Sequence, residues 1–141
     1  MLKRCLAQFF SLIVVKKIES TYSKAPEFQA KILKQLIKKA KSTDFGRDHN
    51  FSNILSYQDF CNNVPVRGYE QFHGYIEKIK GGGKNVLWPG KPKYFAKTSG
   101  TTSGAKLIPI TKESMPNHIK SARNALLFYI NKTGKTKFRS E

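Results

Sequence analysis

Helical periodicity through the first half of the chain, two short strand-like runs around a loop of Ser, Thr and Gly, and a last helical face together predict a mixed α/β or α+β chain. Helices come first, a β-hairpin follows and a helix closes the order. The length of 141 residues falls within the range of one domain with one core.

The first predicted element is a basic, apolar helix over residues 1–20. Lys3 and Arg4 precede an apolar run from Cys5 to Val15, interrupted by Gln8 and Ser11. The run resembles a signal peptide, but Lys16 and Lys17 follow with no small-residue cleavage pattern, and it falls short of the ~20 apolar residues a spanning helix needs. Leu2, Cys5, Leu6, Phe9 and Ile13 share one helical face, which predicts a buried or docking helix; an anionic membrane surface is the alternative partner.

A second helix starts at Pro26 and Glu27, both suited to a first turn, and carries Phe28, Ile32, Leu33, Leu36, Ile37 and Ala40 on one face. Thr43 to Asp48 reads as a turn-rich connection, Tyr57 to Cys61 as a short helix, and Val64-Pro65-Val66 as an extended segment enforced by proline. A third long helix from Tyr69 turns Tyr69, Phe72, Ile76 and Ile79 inward and closes at Gly81. Gly81-Gly82-Gly83 and Trp88-Pro89-Gly90 read as connectors. After the hairpin, Thr111 and Glu113 mark the start of a helix with Met115, Ile119, Ala122, Leu126, Tyr129 and Ile130 on one face.

The formal net charge of +17 comes mostly from lysine. Nucleic-acid binding is the natural competitor to any other function, but the lysines are spread over nearly every segment and no nucleic-acid motif accompanies them, so solvated helix faces explain them better. Cys5 and Cys61 are far apart, which fits reduced thiols in a cytoplasm rather than a disulfide scaffold. His49, His73 and His118 form no close pair and give no zinc spacing, so they read as surface or half-buried polar residues.

The chemistry concentrates in Lys97-Thr98-Ser99-Gly100-Thr101-Thr102-Ser103-Gly104-Ala105-Lys106, between Tyr94-Phe95-Ala96 and Leu107-Ile108-Pro109-Ile110. Glycines let backbone N–H groups approach an anion, hydroxyls donate further hydrogen bonds, and lysine supplies charge. A Walker loop is excluded on spacing: Gly83-Lys84 is followed by Asn85, and Gly134-Lys135-Thr136 has Tyr129 where the first glycine belongs. A serine-hydrolase elbow is excluded because the glycine before Ser103 sits one position too far away. An ordinary hairpin turn competes, but such turns do not require this succession of hydroxyls, glycines and lysine. The predicted geometry is strand, phosphate-binding loop, strand.

Thr98 to Lys106 match the Ser/Thr-Ser-Gly-Thr-Thr-x-Gly-x-Lys signature of acyl-adenylate-forming enzymes. With Lys106 to Thr111, Val64-Pro65-Val66 and Thr43 to Arg47, the chain from about Thr21 to about Phe138 resembles the GH3 auxin-responsive promoter family of acyl acid amido synthetases. The resemblance implies the N-terminal part of the large domain of the adenylate-forming fold, here mostly helices plus a hairpin carrying the phosphate loop, over residues 21–141 as a partial domain.

It implies an ATP-dependent ligase: a carboxylic acid attacks the α-phosphate of Mg²⁺-bound ATP to give an acyl adenylate and pyrophosphate, and an amino acid amine then displaces AMP to form an amide. Thr98, Ser99, Gly100, Thr101, Thr102, Ser103, Gly104 and Lys106 would hold the β- and γ-phosphates. None of them is a nucleophile, and no catalytic or metal-binding residue is assigned. In the family the ribose-binding and metal-binding acids and the mobile C-terminal domain lie beyond this loop. The expectation is therefore an N-terminal piece, incomplete on its own, whose full-length partners are ATP, a carboxylic acid and an amino acid, with no specific nucleic acid and no membrane span. A non-catalytic basic module engaging nucleic acid or an anionic membrane is the competing function, and a truncated gene product without function is a third.

Overall fold

The computed structural model describes residues 2–99 and 105–136, which divide into two compact units, one of residues 2–26 and 113–136 and the other of residues 27–99 and 105–112. Helices dominate both, with one small antiparallel β-hairpin in the second.

In the first unit, α1 (Leu2–Glu19) packs against α6 (Met115–Thr133). Ser11 and Val15 of α1 and Leu127 and Ile130 of α6 are the buried positions. Ser11 is small, and its hydroxyl is satisfied within the helix by donating to the Gln8 carbonyl at 2.7 Å, so it costs nothing to bury. Helix α6 has Pro116 in its first turn and ends at Gly134, whose φ of 65° is the left-handed conformation that glycine adopts without strain. The Gly134 carbonyl accepts from the Gln8 side-chain amide at 3.0 Å.

The faces differ from the expectation. Leu2, Leu6, Phe9 and Ile13 are exposed, as are Ile119, Ala122, Leu126 and Tyr129, because each helix is apolar on more than one side and pairs through another. Helix α6 also begins at Met115, later than Thr111. Among the described residues no helix is long and apolar enough to cross a membrane.

In the second unit, α2 (Ala25–Ala40) contributes Ile37 and Ala40 to a core with Phe51 and Ile54, against which Leu33, Phe45, Phe60, Val64 and Trp88 pack. Phe28, Ile32 and Leu36, expected on the same buried face, are exposed, so only the C-terminal half of α2 is engaged.

The Thr43–Asp48 segment is a helix rather than a plain connection: α3 (Asp44–Asp48) is capped by buried Thr43, whose Oγ1 accepts from the Gly46 N–H at 3.0 Å and donates to the Ala40 carbonyl at 2.7 Å. Gly46 has no room for a side chain, since a Cβ there would lie 2.1 Å from the Ala40 carbonyl oxygen. Phe45 stacks on buried His49, with ring centroids 4.0 Å apart, and meets Phe51, Phe72 and Tyr75. Burial first, then the hydrogen bond to Asp48, holds the Tyr75 phenol above its ordinary pKa.

Helix α4 (Tyr57–Asn63) starts with a reciprocal cap: Ser56 Oγ accepts from the Asp59 N–H, and the Asp59 carboxylate accepts from the N–H groups of Leu55 and Ser56. The expected third long helix is split into a tight turn at Tyr69–Phe72 and α5 (His73–Lys80), with Ile76 and Ile79 buried as expected. Strands β1 (Tyr94–Lys97) and β2 (Leu107–Ile110) pair in the register Tyr94–Ile110 through Lys97–Leu107.

Candidate functional site

The hairpin is tied to a helical turn at β2, and the connector that leads toward β1 is tied to α3. On the approach to β1, the first two N–H groups of α3 are taken by the connector: Asp44 donates to the Asn85 carbonyl at 2.8 Å and Phe45 to that of Val86 at 3.0 Å. These are among the N–H groups that a helix start leaves without an internal partner. The connector is itself closed, because Asn85 N–H donates to the Gly90 carbonyl while Asn85 Oδ1 accepts from Gly90 N–H, with Asn85 and Gly90 both at positive φ. Gly83 packs so closely on the Lys78 carbonyl that a Cβ would approach it to 2.7 Å.

At β2 the tie is Tyr69. Its hydroxyl accepts from the Leu107 N–H at 2.8 Å and donates to the Leu107 carbonyl at 3.2 Å. Tyr69 sits in a turn stabilised by Gln71, whose side-chain oxygen accepts from the Gly68 N–H at 3.0 Å.

Between the strands, the Thr98 N–H donates to the Lys106 carbonyl at 3.0 Å and closes the mouth of the Ser/Thr/Gly loop. Of the residues expected to hold phosphate, Thr98, Ser99 and Lys106 stand at this mouth, Ser99 exposed and the other two half-buried. Gly100, Thr101, Thr102, Ser103 and Gly104 lie outside the described residues. The Lys106 ammonium lies 5.6 Å from the centre of the Tyr69 ring.

The charge on this segment is of one sign. Residues 91–112 contain Lys91, Lys93, Lys97, Lys106 and Lys112 and no acid, so the hairpin offers donors and positive charge but no carboxylate for a metal ion.

A separate cavity of about 90 Å³ is lined by Ile79, Gly83, Val86, Trp88, Pro109 and Thr111, among others. It is smaller than the ~150 Å³ that accommodates a benzene ring, so it is not a pocket for a purine.

The GH3 family N-terminal domain matches residues 14–139. The chain belongs to the GH3 family. Among curated relatives in Arabidopsis thaliana, it is 29% identical over 100 residues to indole-3-acetic acid-amido synthetase GH3.5, covering 70% of this chain and 16% of that protein. It is 30% identical over 115 residues to indole-3-acetic acid-amido synthetase GH3.15, covering 79% of this chain and 19% of the relative. This GH3 chain thus spans less than a fifth of the length of these relatives, and the matched span includes both strands and the whole loop between them.

The sequence located the strands and the loop, but Tyr69 was assigned only to an inward helical face. Its partner lies 38 residues away, and no periodicity or motif links the two.

Proposed function

We propose that this chain is the phosphate-holding portion of an ATP-dependent acyl acid amido synthetase, the start of the large domain of the adenylate-forming fold. Thr98, Ser99, Thr101, Thr102 and Ser103 supply hydroxyl donors, Gly100 and Gly104 let the backbone approach, and Lys106 adds charge against the β- and γ-phosphates. Magnesium arrives on the nucleotide. A carboxylate oxygen of the acid bonds to the α-phosphorus as the bond to the bridging oxygen breaks, releasing pyrophosphate; the amine of an amino acid then attacks the acyl carbon, AMP leaves and the amine loses a proton. The loop's share is to position the triphosphate and neutralise the charge that builds on departing pyrophosphate.

Membership of the GH3 family, with the signature loop strung between two paired strands whose mouth carries Lys106, is the observation that carries this reading. The exposed thiols of Cys5 and Cys61 support a reducing, cytoplasmic setting.

The test is a titration of the chain with Mg-ATP and with inorganic tripolyphosphate, followed by amide resonances from Thr98 to Lys106. Both ligands should shift them, adenosine should not, and Lys106→Ala should weaken binding about tenfold or more. Saturable binding of adenosine alone, or equal affinity in Lys106→Ala, would remove the loop from phosphate recognition. The amide-forming half is tested by acid-dependent exchange of labelled pyrophosphate into ATP in a protein that joins this segment to the rest of a GH3 relative, with Gly100→Val and Lys106→Ala as the variants that should lose it.

A further inference from the structure

We infer that Tyr69 is the positioning residue of the phosphate loop, holding the backbone from which β2 leaves it and presenting the Lys106 ammonium at its mouth. The inference rests on the phosphate reading proposed above and adds to it a residue outside the signature.

It starts from the phase of the ladder. The Thr98 N–H bonds to the Lys106 carbonyl, so positions 98 and 106 form a hydrogen-bonded pair, and Lys97–Leu107 is the next, non-hydrogen-bonded pair. The N–H and C=O of Leu107 therefore point away from β1, along the edge of a sheet that has two strands among the described residues. Tyr69 satisfies both with one hydroxyl, accepting from the N–H and donating to the C=O. A phenol in this arrangement fixes both the height and the direction of the edge at a single residue, and that residue directly follows Lys106.

The same side chain addresses Lys106 itself. The ammonium lies 5.6 Å from the ring centre, within the range of a cation–π contact. Lys106 is thus constrained at its carbonyl by Thr98, through its neighbour by the Tyr69 hydroxyl, and at its side chain by the Tyr69 ring. Lysine is among the costliest side chains to order, so a platform that restricts it before the anion arrives reduces what binding must supply. Tyr69 is held for this purpose from its own side, half-buried in the turn that Gln71 caps at Gly68.

A hydroxyl that merely closed a sheet edge would stabilise the hairpin without being coupled to Lys106. The two roles separate in a double-mutant cycle on the 141-residue chain, read by titration with inorganic tripolyphosphate and by hydrogen exchange at the Leu107 amide. Tyr69→Phe keeps the ring and loses both hydrogen bonds; it should weaken binding roughly fivefold and accelerate Leu107 exchange. Tyr69→Leu also loses the ring and should weaken binding about threefold more than Tyr69→Phe, with that extra loss absent when Lys106 is alanine.

Wild-type binding that is unchanged in Tyr69→Phe overturns the inference while leaving the phosphate reading standing. So does an extra loss in Tyr69→Leu that persists when Lys106 is alanine, because the ring would then act through the fold alone. Failure of the wild-type chain to bind tripolyphosphate overturns the phosphate reading, and this inference with it, before any variant is compared.

Discussion

Replacing Gly46 with alanine tests the way α3 anchors the approach to the hairpin. The added Cβ would stand 2.1 Å from the Ala40 carbonyl oxygen, 2.9 Å from the Ala40 carbonyl carbon and 3.0 Å from that of Lys41. All three are backbone atoms, so no side chain can swing aside, and α3 must retreat by about 0.9 Å to bring the shortest contact to 3.0 Å. Overpacking of this kind costs roughly 1–3 kcal/mol. The retreat also stretches the Thr43 cap and the bonds from Asp44 and Phe45 to Asn85 and Val86, each worth about 1 kcal/mol. Some of these bonds survive a partial shift, so the expected loss is about 3–5 kcal/mol, at the upper end for a single substitution.

Urea unfolding followed by fluorescence of Trp88, the chain's single tryptophan and part of the same unit, reads this loss directly. Gly74→Ala is the internal control: no heavy atom lies within 4 Å of a Cβ there, and α5 should gain a few tenths to about 1 kcal/mol from the change. A Gly46→Ala protein within about 0.5 kcal/mol of wild type would refute the packing argument.

Thr43→Val removes a buried hydroxyl that bonds both Ala40 and Gly46 while keeping the shape, and should cost about 2 kcal/mol in the same urea assay. Ser11→Leu forces a larger side chain into the fully buried contact of α1 with α6 and should cost about 1–3 kcal/mol, seen as faster amide exchange in both helices, whereas Ser11→Ala should stay near wild type. The N–H of Leu55, then the hydroxyl and N–H of Ser56, depress the Asp59 carboxyl below its ordinary value of 3.8. Its contribution is therefore present above that value and lost as pH falls through the depressed folded pKa, so the urea midpoint should drop as the pH is taken below 3.8 more in wild type than in Asp59→Asn.

What could be read from the sequence was what local chemistry decides. Helix α4 was visible as a short run from Tyr57 to Cys61 ahead of Val64-Pro65-Val66, and the strands as two short apolar runs on either side of the loop of Ser, Thr and Gly. Helix α3 was missed because five residues show no periodicity, and half of what holds it comes from Asn85 and Val86, some forty positions on. The buried faces of α1 and α6 were misplaced for another reason. Apolar residues surround much of each helix, and which side is covered depends on a partner at the other end of the chain, a choice that small Ser11 governs and hydropathy overlooks. At the mouth of the loop, the residue types were legible and Tyr69 was not, since a phenol on an edge backbone leaves no spacing to detect.

Pro109 sits opposite Phe95, at a non-hydrogen-bonded position of the ladder, where its missing N–H costs nothing. If β2 slid by one residue against β1, that ring would face the partner strand and a rung would lose its donor; the loop would also gain or lose a residue between its closing pair. The proline therefore acts as a counter: a residue whose side chain has no polar group fixes how many residues span the gap between the two strands.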